Sequence, residues 1–168
     1  MKSHVTIDVS VTAERWRDAL PDAERLARQA ALAAWQAARE GGPALGREEI
    51  SIALVDDAAS RALNREHRAK DTPTNVLSFA LEPVADGDDR PHLLGDVILA
   101  CETVCREAAE QDKPIADHFC HLVIHGVLHL RGYDHETERD AETMERLETD
   151  LLAGLGIDDP YRIAETVI

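Results

Sequence analysis

Val5, Ile7, Val9 and Val11 alternate with Thr6, Asp8 and Ser10, the period of a strand with one face buried. Pro21 then stands where a helical first turn accepts it. Leu26, Ala30, Ala33, Ala34 and Ala37 follow at helical spacing until Gly41, Gly42 and Pro43 end the run. Ile50, Ile52 and Leu54 restore period two and predict a second strand. Asp56 or Asp57 caps a short helix that runs through Leu63 into R-A-L-N-R-E-H-R-A-K. After the turn D-T-P-T, N-V-L-S-F-A-L reads as a third strand, and E-P-V-A-D-G-D-D-R-P as a long, polar, mobile loop. G-D-V-I-L-A predicts a fourth strand and C-E-T-V-C-R-E-A-A-E a helix. Pro114 opens the next helix, which carries His118, His121, His125 and His129 and stops at Gly132. The last helix starts near Thr137, with Asp140 three residues on as in a capping box. It buries Ala141, Met144, Leu147 and Leu151 before Gly154 and Gly156.

This order contains no internal repeat and no linker long enough to divide it. The expectation is a single domain over residues 1–168. Its class is α/β or α+β: one mixed sheet of about four strands surrounded by about five helices.

Composition narrows the setting. No apolar run approaches the roughly 18 residues that cross a bilayer, and the first residues alternate like a strand rather than forming a signal peptide. A cytoplasmic protein with no membrane partner is expected. Cys101, Cys105 and Cys120 are an odd number without an export signal, so they read as small buried hydrophobes rather than a disulfide framework. The formal net charge of −15 argues against broad attachment to nucleic acid, because neutralising phosphates takes Lys and Arg. The charge is uneven, however. Arg61, Arg65, Arg68 and Lys70 cluster, whereas the stretch from Asp134 to Asp150 is strongly acidic.

The chemistry concentrates in H-G-V-L-H-L-R-G-Y-D-H, from His125 to His135. His125 and His129 stand at i and i+4, so both rings leave one helix face within reach of one ion. Zinc takes imidazole nitrogens at about 2.0–2.1 Å and keeps a place open for water in a catalytic site. His121 is on the same face, but two turns of helix separate it from His129 by about 12 Å. It reads as a packed group beside the site. His135 can converge, because Gly132 ends the helix and can turn the chain back with a positive φ. His125, His129 and His135 are therefore the expected ligands, in a spacing shared with zincin peptidases. Gly126 stands where such peptidases keep a glutamate base. It serves either close packing against the sheet or space beside the metal. His118 is expected at the surface.

The same residues carry a family resemblance. H-G-V-L-H-L-R-G-Y-D-H with His121-Leu122 before it, L-N-R-E-H-R-A-K-D-T-P-T-N-V-L-S-F, and L-G-D-V-I-L together resemble the bacterial endoribonuclease YbeY family of rRNA maturation factors, from Ile50 to Leu152. Ala80 departs from the family's run, which commonly closes with Pro after the Phe. The resemblance implies a zinc-dependent (or other divalent transition metal) hydrolase of single-stranded RNA. It would mature the 3′ end of 16S rRNA and serve ribosome quality control. The implied metal ligands are again His125, His129 and His135, and the family's functional arginine falls on Arg68.

On that basis the metal activates water or the RNA 2′-hydroxyl while Arg68 clamps the scissile phosphate. Arg65 and Lys70 would follow the adjacent backbone, with His121 at the edge of the substrate site. Asp134 and Glu136 are the nearby carboxylates able to assist with protons, though orienting a ligand histidine or simple exposure fits them better. Two rival readings remain. One is a zinc peptidase, weakened by the missing glutamate. The other is a ribosome-assembly factor that works mainly by binding, its acidic surface suited to basic ribosomal proteins.

Overall fold

The computed structural model describes residues 4–39, 47–81 and 92–161. Among these residues, four strands form one sheet: β1 (His4–Val11), β2 (Arg47–Val55), β3 (Val76–Ala80) and β4 (His92–Ala100). Their spatial order is β1-β2-β4-β3, with β1 and β4 parallel to β2 and β3 antiparallel to β4. The mixed sheet matches the expected class. The fourth strand extends further back than expected, starting at His92. Among the described residues there are six helices: α1 (Arg15–Ala19), α2 (Ala23–Arg39), α3 (Asp57–Arg68), α4 (Cys101–Glu110), α5 (Ile115–Leu130) and α6 (Glu138–Gly154).

The sheet is amphipathic. In β2, Ile50, Ile52 and Leu54 are buried while Ser51 and Ala53 between them are only half-buried. The buried face, continued by Val97 and Leu99 of β4, joins α2 and α5 in one core. The α2 face differs in detail from the expected one. Ala27, Ala30, Ala31 and Ala34 are buried with Trp35, whereas Ala33 and Ala37 sit at its margin. Four alanines let the helix lie close to its neighbours, and Trp35 fills the space at its end. Pro21 lies in the turn before α2 rather than inside it, because α1 intervenes. There Trp16, fully buried, donates from Nε1 to the Val55 carbonyl at 2.8 Å. The proposed stop at Gly41, Gly42 and Pro43 and the loop at 82–91 lie outside the described residues.

Local chemistry sets the element ends. Asp56, not Asp57, caps α3, its Oδ1 accepting from Ala59 N at 2.9 Å. Asp57 instead accepts from the Thr103 hydroxyl and amide of α4. Thr137 caps α6 by accepting from Asp140 N at 3.1 Å. At the end of α5, Gly132 has φ +94°. Its N–H reaches the His129 carbonyl and that of Tyr133 reaches Leu128, the paired bonds of a Schellman motif. This stop fixes where His135 lies.

Candidate metal centre and active-site cleft

Two of the histidines leave α5 one turn apart, and the chain bend at Gly132 returns the third to them. His125 Nε2 and His129 Nε2 are 3.0 Å apart. The ring of His135 stands 5.5 Å from that of His125 and 5.2 Å from that of His129, centroid to centroid. One ligand nitrogen from each of the three lies within 4.8 Å of the others. This donor set fits a borderline-soft divalent cation, since ligands at about 2.0–2.1 Å around one tetrahedral ion stand only about 3.3 Å apart. Burial, followed by the neighbouring His125 and His135, lowers the His129 pKa against a backbone hydrogen bond with Tyr133 that raises it. The shift favours the neutral ring, the form that binds a metal.

A cleft of about 500 Å³ opens over these rings. Its lining brings Arg68, from the last turn of α3, to the three histidines, with Asn75 and Ser78 from the β3 side and Asp134 and Glu136 after α5. Arg68 donates from Nη2 to the Ser78 carbonyl at 3.4 Å and is otherwise exposed. The turn between α3 and β3 holds it there. Asn64 donates to the Thr72 carbonyl at 2.8 Å, and the Ser60 hydroxyl exchanges hydrogen bonds with Thr74. Among the other basic residues, Arg61 is tied to Asp71 at 2.8 Å. Arg65 and Lys70 are exposed and stand outside the described lining of the cleft.

Gly126 is buried against the sheet. A Cβ there would meet Val97 Cγ1 at 2.6 Å and Ser78 Oγ at 3.1 Å. Of the two explanations the sequence left open, close packing is the one this geometry supports.

His121 does not face the cleft. Its Nε2 lies 3.0 Å from Glu148 Oε2 and 3.2 Å from the Tyr161 hydroxyl, beside a neighbouring hollow of about 400 Å³. Glu148 also meets His125 Nδ1, so His121, His125 and Glu148 form a second group with metal-ligand proximity. Burial opposes ionisation of Glu148. The hydrogen bonds from His121, His125 and Tyr161 outweigh it and hold the carboxyl at about 2. The Tyr161 hydroxyl is correspondingly pushed up by burial and by Glu148.

His118 corrects an expectation. It is 4% exposed, not a surface residue, with Nε2 at 2.9 Å from Glu107 Oε1. Helix α4 packs against α5 and covers it. Glu107, half-buried, also accepts from Asn75 at 2.9 Å, which links His118 to the cleft wall. The cysteines behave as expected of small hydrophobes: Cys101 and Cys120 are buried, and Cys105 is half-buried. Burial, with Cys105 adding to it, pushes the Cys101 thiol up to about 12.

Sequence reading passed over Glu148 and Tyr161. A signal for Glu148 existed. Met144, Glu148 and Leu152 recur at i, i+4 and i+8, and all three are buried, so an acid occupies an apolar register. Tyr161 had no such signal, because nothing periodic places it.

Fold and cleft together define an α/β protein with a three-histidine candidate metal centre and an arginine across from it. The sequence profile of the family described as Endoribonuclease YbeY matches residues 11–156. Relatives named Endoribonuclease YbeY from Paramagnetospirillum magneticum and Bradyrhizobium sp. are 53% and 49% identical to it. They align over 94% and 93% of this chain and 96% and 92% of their own lengths. The solution structure of a Thermotoga maritima protein matches with a TM-score of 0.50 at 21% identity, over 94% of this chain and 100% of that one, a likeness of fold alone. The chain belongs to the Endoribonuclease YbeY family. Among the described residues, no helix is long and apolar enough to cross a membrane.

Proposed function

We propose that the protein is a metal-dependent endoribonuclease of single-stranded RNA that acts in maturing the 3′ end of 16S rRNA and in ribosome quality control. Family membership supports the activity. The observation that carries the chemistry is the cleft shared by Arg68 and the three histidines. His125, His129 and His135 would hold one zinc ion, three imidazole nitrogens being a donor set that zinc favours. That ion would supply Lewis-acid activation of water and positive charge at the phosphate.

The chain's own residues supply the rest. A phosphodiester gains negative charge on the way to its transition state, so a fixed cation beside it lowers the barrier. Arg68 has that role: its guanidinium is always charged and presents a fork matched to phosphate oxygens. Its bond to the Ser78 carbonyl ties the guanidinium to the strand that lines the cleft. Asp134 and Glu136 are the carboxylates at hand for proton transfer. A peptidase is disfavoured by Gly126, where Val97 and Ser78 leave no room for a glutamate base. With a net charge of −15, docking to ribosomal proteins is expected to bring the protein to its RNA.

The test is cleavage of an unstructured RNA, with casein in parallel, by protein of measured zinc content. Arg68→Ala should lower turnover by about 100-fold or more while zinc content stays unchanged. Unaltered RNA turnover in that variant, or casein cleavage without RNA cleavage, would refute the reading.

A further inference from the structure

Glu148 has no exposed surface and lies outside the cleft that Arg68 and the three histidines share. Its Oε1 lies 2.5 Å from His125 Nδ1. Its Oε2 is held by His121 Nε2 at 3.0 Å and by the Tyr161 hydroxyl. An ionised carboxylate offers only acceptors, so the nitrogen of His125 that faces it carries the hydrogen. That choice leaves the lone pair on Nε2, which is the nitrogen directed at His129 in the three-histidine group. The ring is therefore held both in the tautomer and in the orientation that a ligand needs. The carboxylate cannot swing away, because its second oxygen is anchored by a residue of α5 and by one beyond α6.

We infer that Glu148 is a positioning residue of the metal centre: it fixes the tautomer and ring orientation of His125, with His121 and Tyr161 anchoring its far oxygen. This role rests on the metal site proposed above. The rival is that Glu148, His121 and His125 themselves hold a second ion, since their ligand atoms also lie within 4.8 Å. The 2.5 Å contact speaks against it, because two ligands of one tetrahedral ion stand about 3.3 Å apart. A hydrogen bond from the imidazole to the carboxylate accounts for a contact closer than that spacing.

Two measurements test the assignment. Long-range proton–nitrogen NMR on the metal-free, isotope-labelled protein should report His125 with its hydrogen on Nδ1. A hydrogen on Nε2 overturns the proposal, and this result needs no variant. Zinc affinity by chelator competition is then compared among wild type, Glu148→Gln, which keeps an acceptor, and Glu148→Met, which does not. Glu148→Met should bind one zinc about 10- to 100-fold more weakly, with Glu148→Gln between it and wild type. Equal affinity in all three overturns the role of Glu148 while leaving the three-histidine site intact. Loss of a second bound ion in the variants overturns it too, by making Glu148 a ligand. A wild-type chain that takes up no zinc would overturn the metal reading itself.

Discussion

The Ser78 hydroxyl donates to the Gly126 carbonyl at 3.2 Å, joining edge strand β3 to the middle of the helix that bears the histidines. The two elements can approach this closely because residue 126 has no side chain. Ala in a helix is ordinarily about 1 kcal/mol better than Gly. At this position the added Cβ would press into Val97 at 2.6 Å.

Gly126→Ala is therefore expected to destabilise the protein, overpacking of about 1–3 kcal/mol exceeding the gain in helix propensity. Urea denaturation of the metal-free protein measures it. Val97→Ala removes the atom in the way, so the double variant should lose less than the sum of the singles. The favourable coupling should be about 0.5 kcal/mol or more. Additive losses would mean that the Val97 contact is not what keeps the position as glycine.

At Gly132 the obstacle is the backbone. A Cβ there meets nothing within 4 Å, but φ is +94°. Gly132→Ala should cost about 1–2 kcal/mol through backbone strain alone, and Gly132→Asn less, since Asn tolerates this region. Because the turn returns His135 to the other two rings, zinc affinity should fall in the same order. A chelator competition series across the three chains checks that ranking.

His118 gives a pH dependence of definite sign. Burial lowers its folded-state pKa, with Glu107 working partly against the shift. The unfolded chain takes up a proton near the ordinary value of about 6.5, so on acidification the unfolded state binds more protons. The stabilisation is fully present above about pH 6.5 and is lost as pH falls towards the folded-state pKa. His129 shifts in the same direction. In metal-free protein, the urea midpoint should drop between about pH 7 and about pH 5, and His118→Gln should flatten that slope in part. An unchanged slope would remove His118 as a source.

Much of the fold was legible because its signals are local. The alternation Ile50, Ile52, Leu54 depends only on the two-residue period of a strand, and β2 buries all three. Thr137 with Asp140, and Gly132 after His129, are read within one turn of helix and appear as a cap and a stop. The α2 face was harder to read. In an alanine-rich helix many faces look alike, and only the position of Trp35 against its neighbours selects one.

The spacing of His125, His129 and His135, with a glycine between the last two, was enough to bring three imidazoles together. Helix geometry and one positive φ operate over eleven residues and bring the three side chains near one another. Which arginine overlooks them, which carboxylate grips His125 and why His118 is buried were decided by packing between elements far apart in the chain. Arg68, Glu148 and Glu107 reach their partners only once α3, α6 and α4 have docked. Helix docking depends on the shape and volume of whole faces, which no short-range period records.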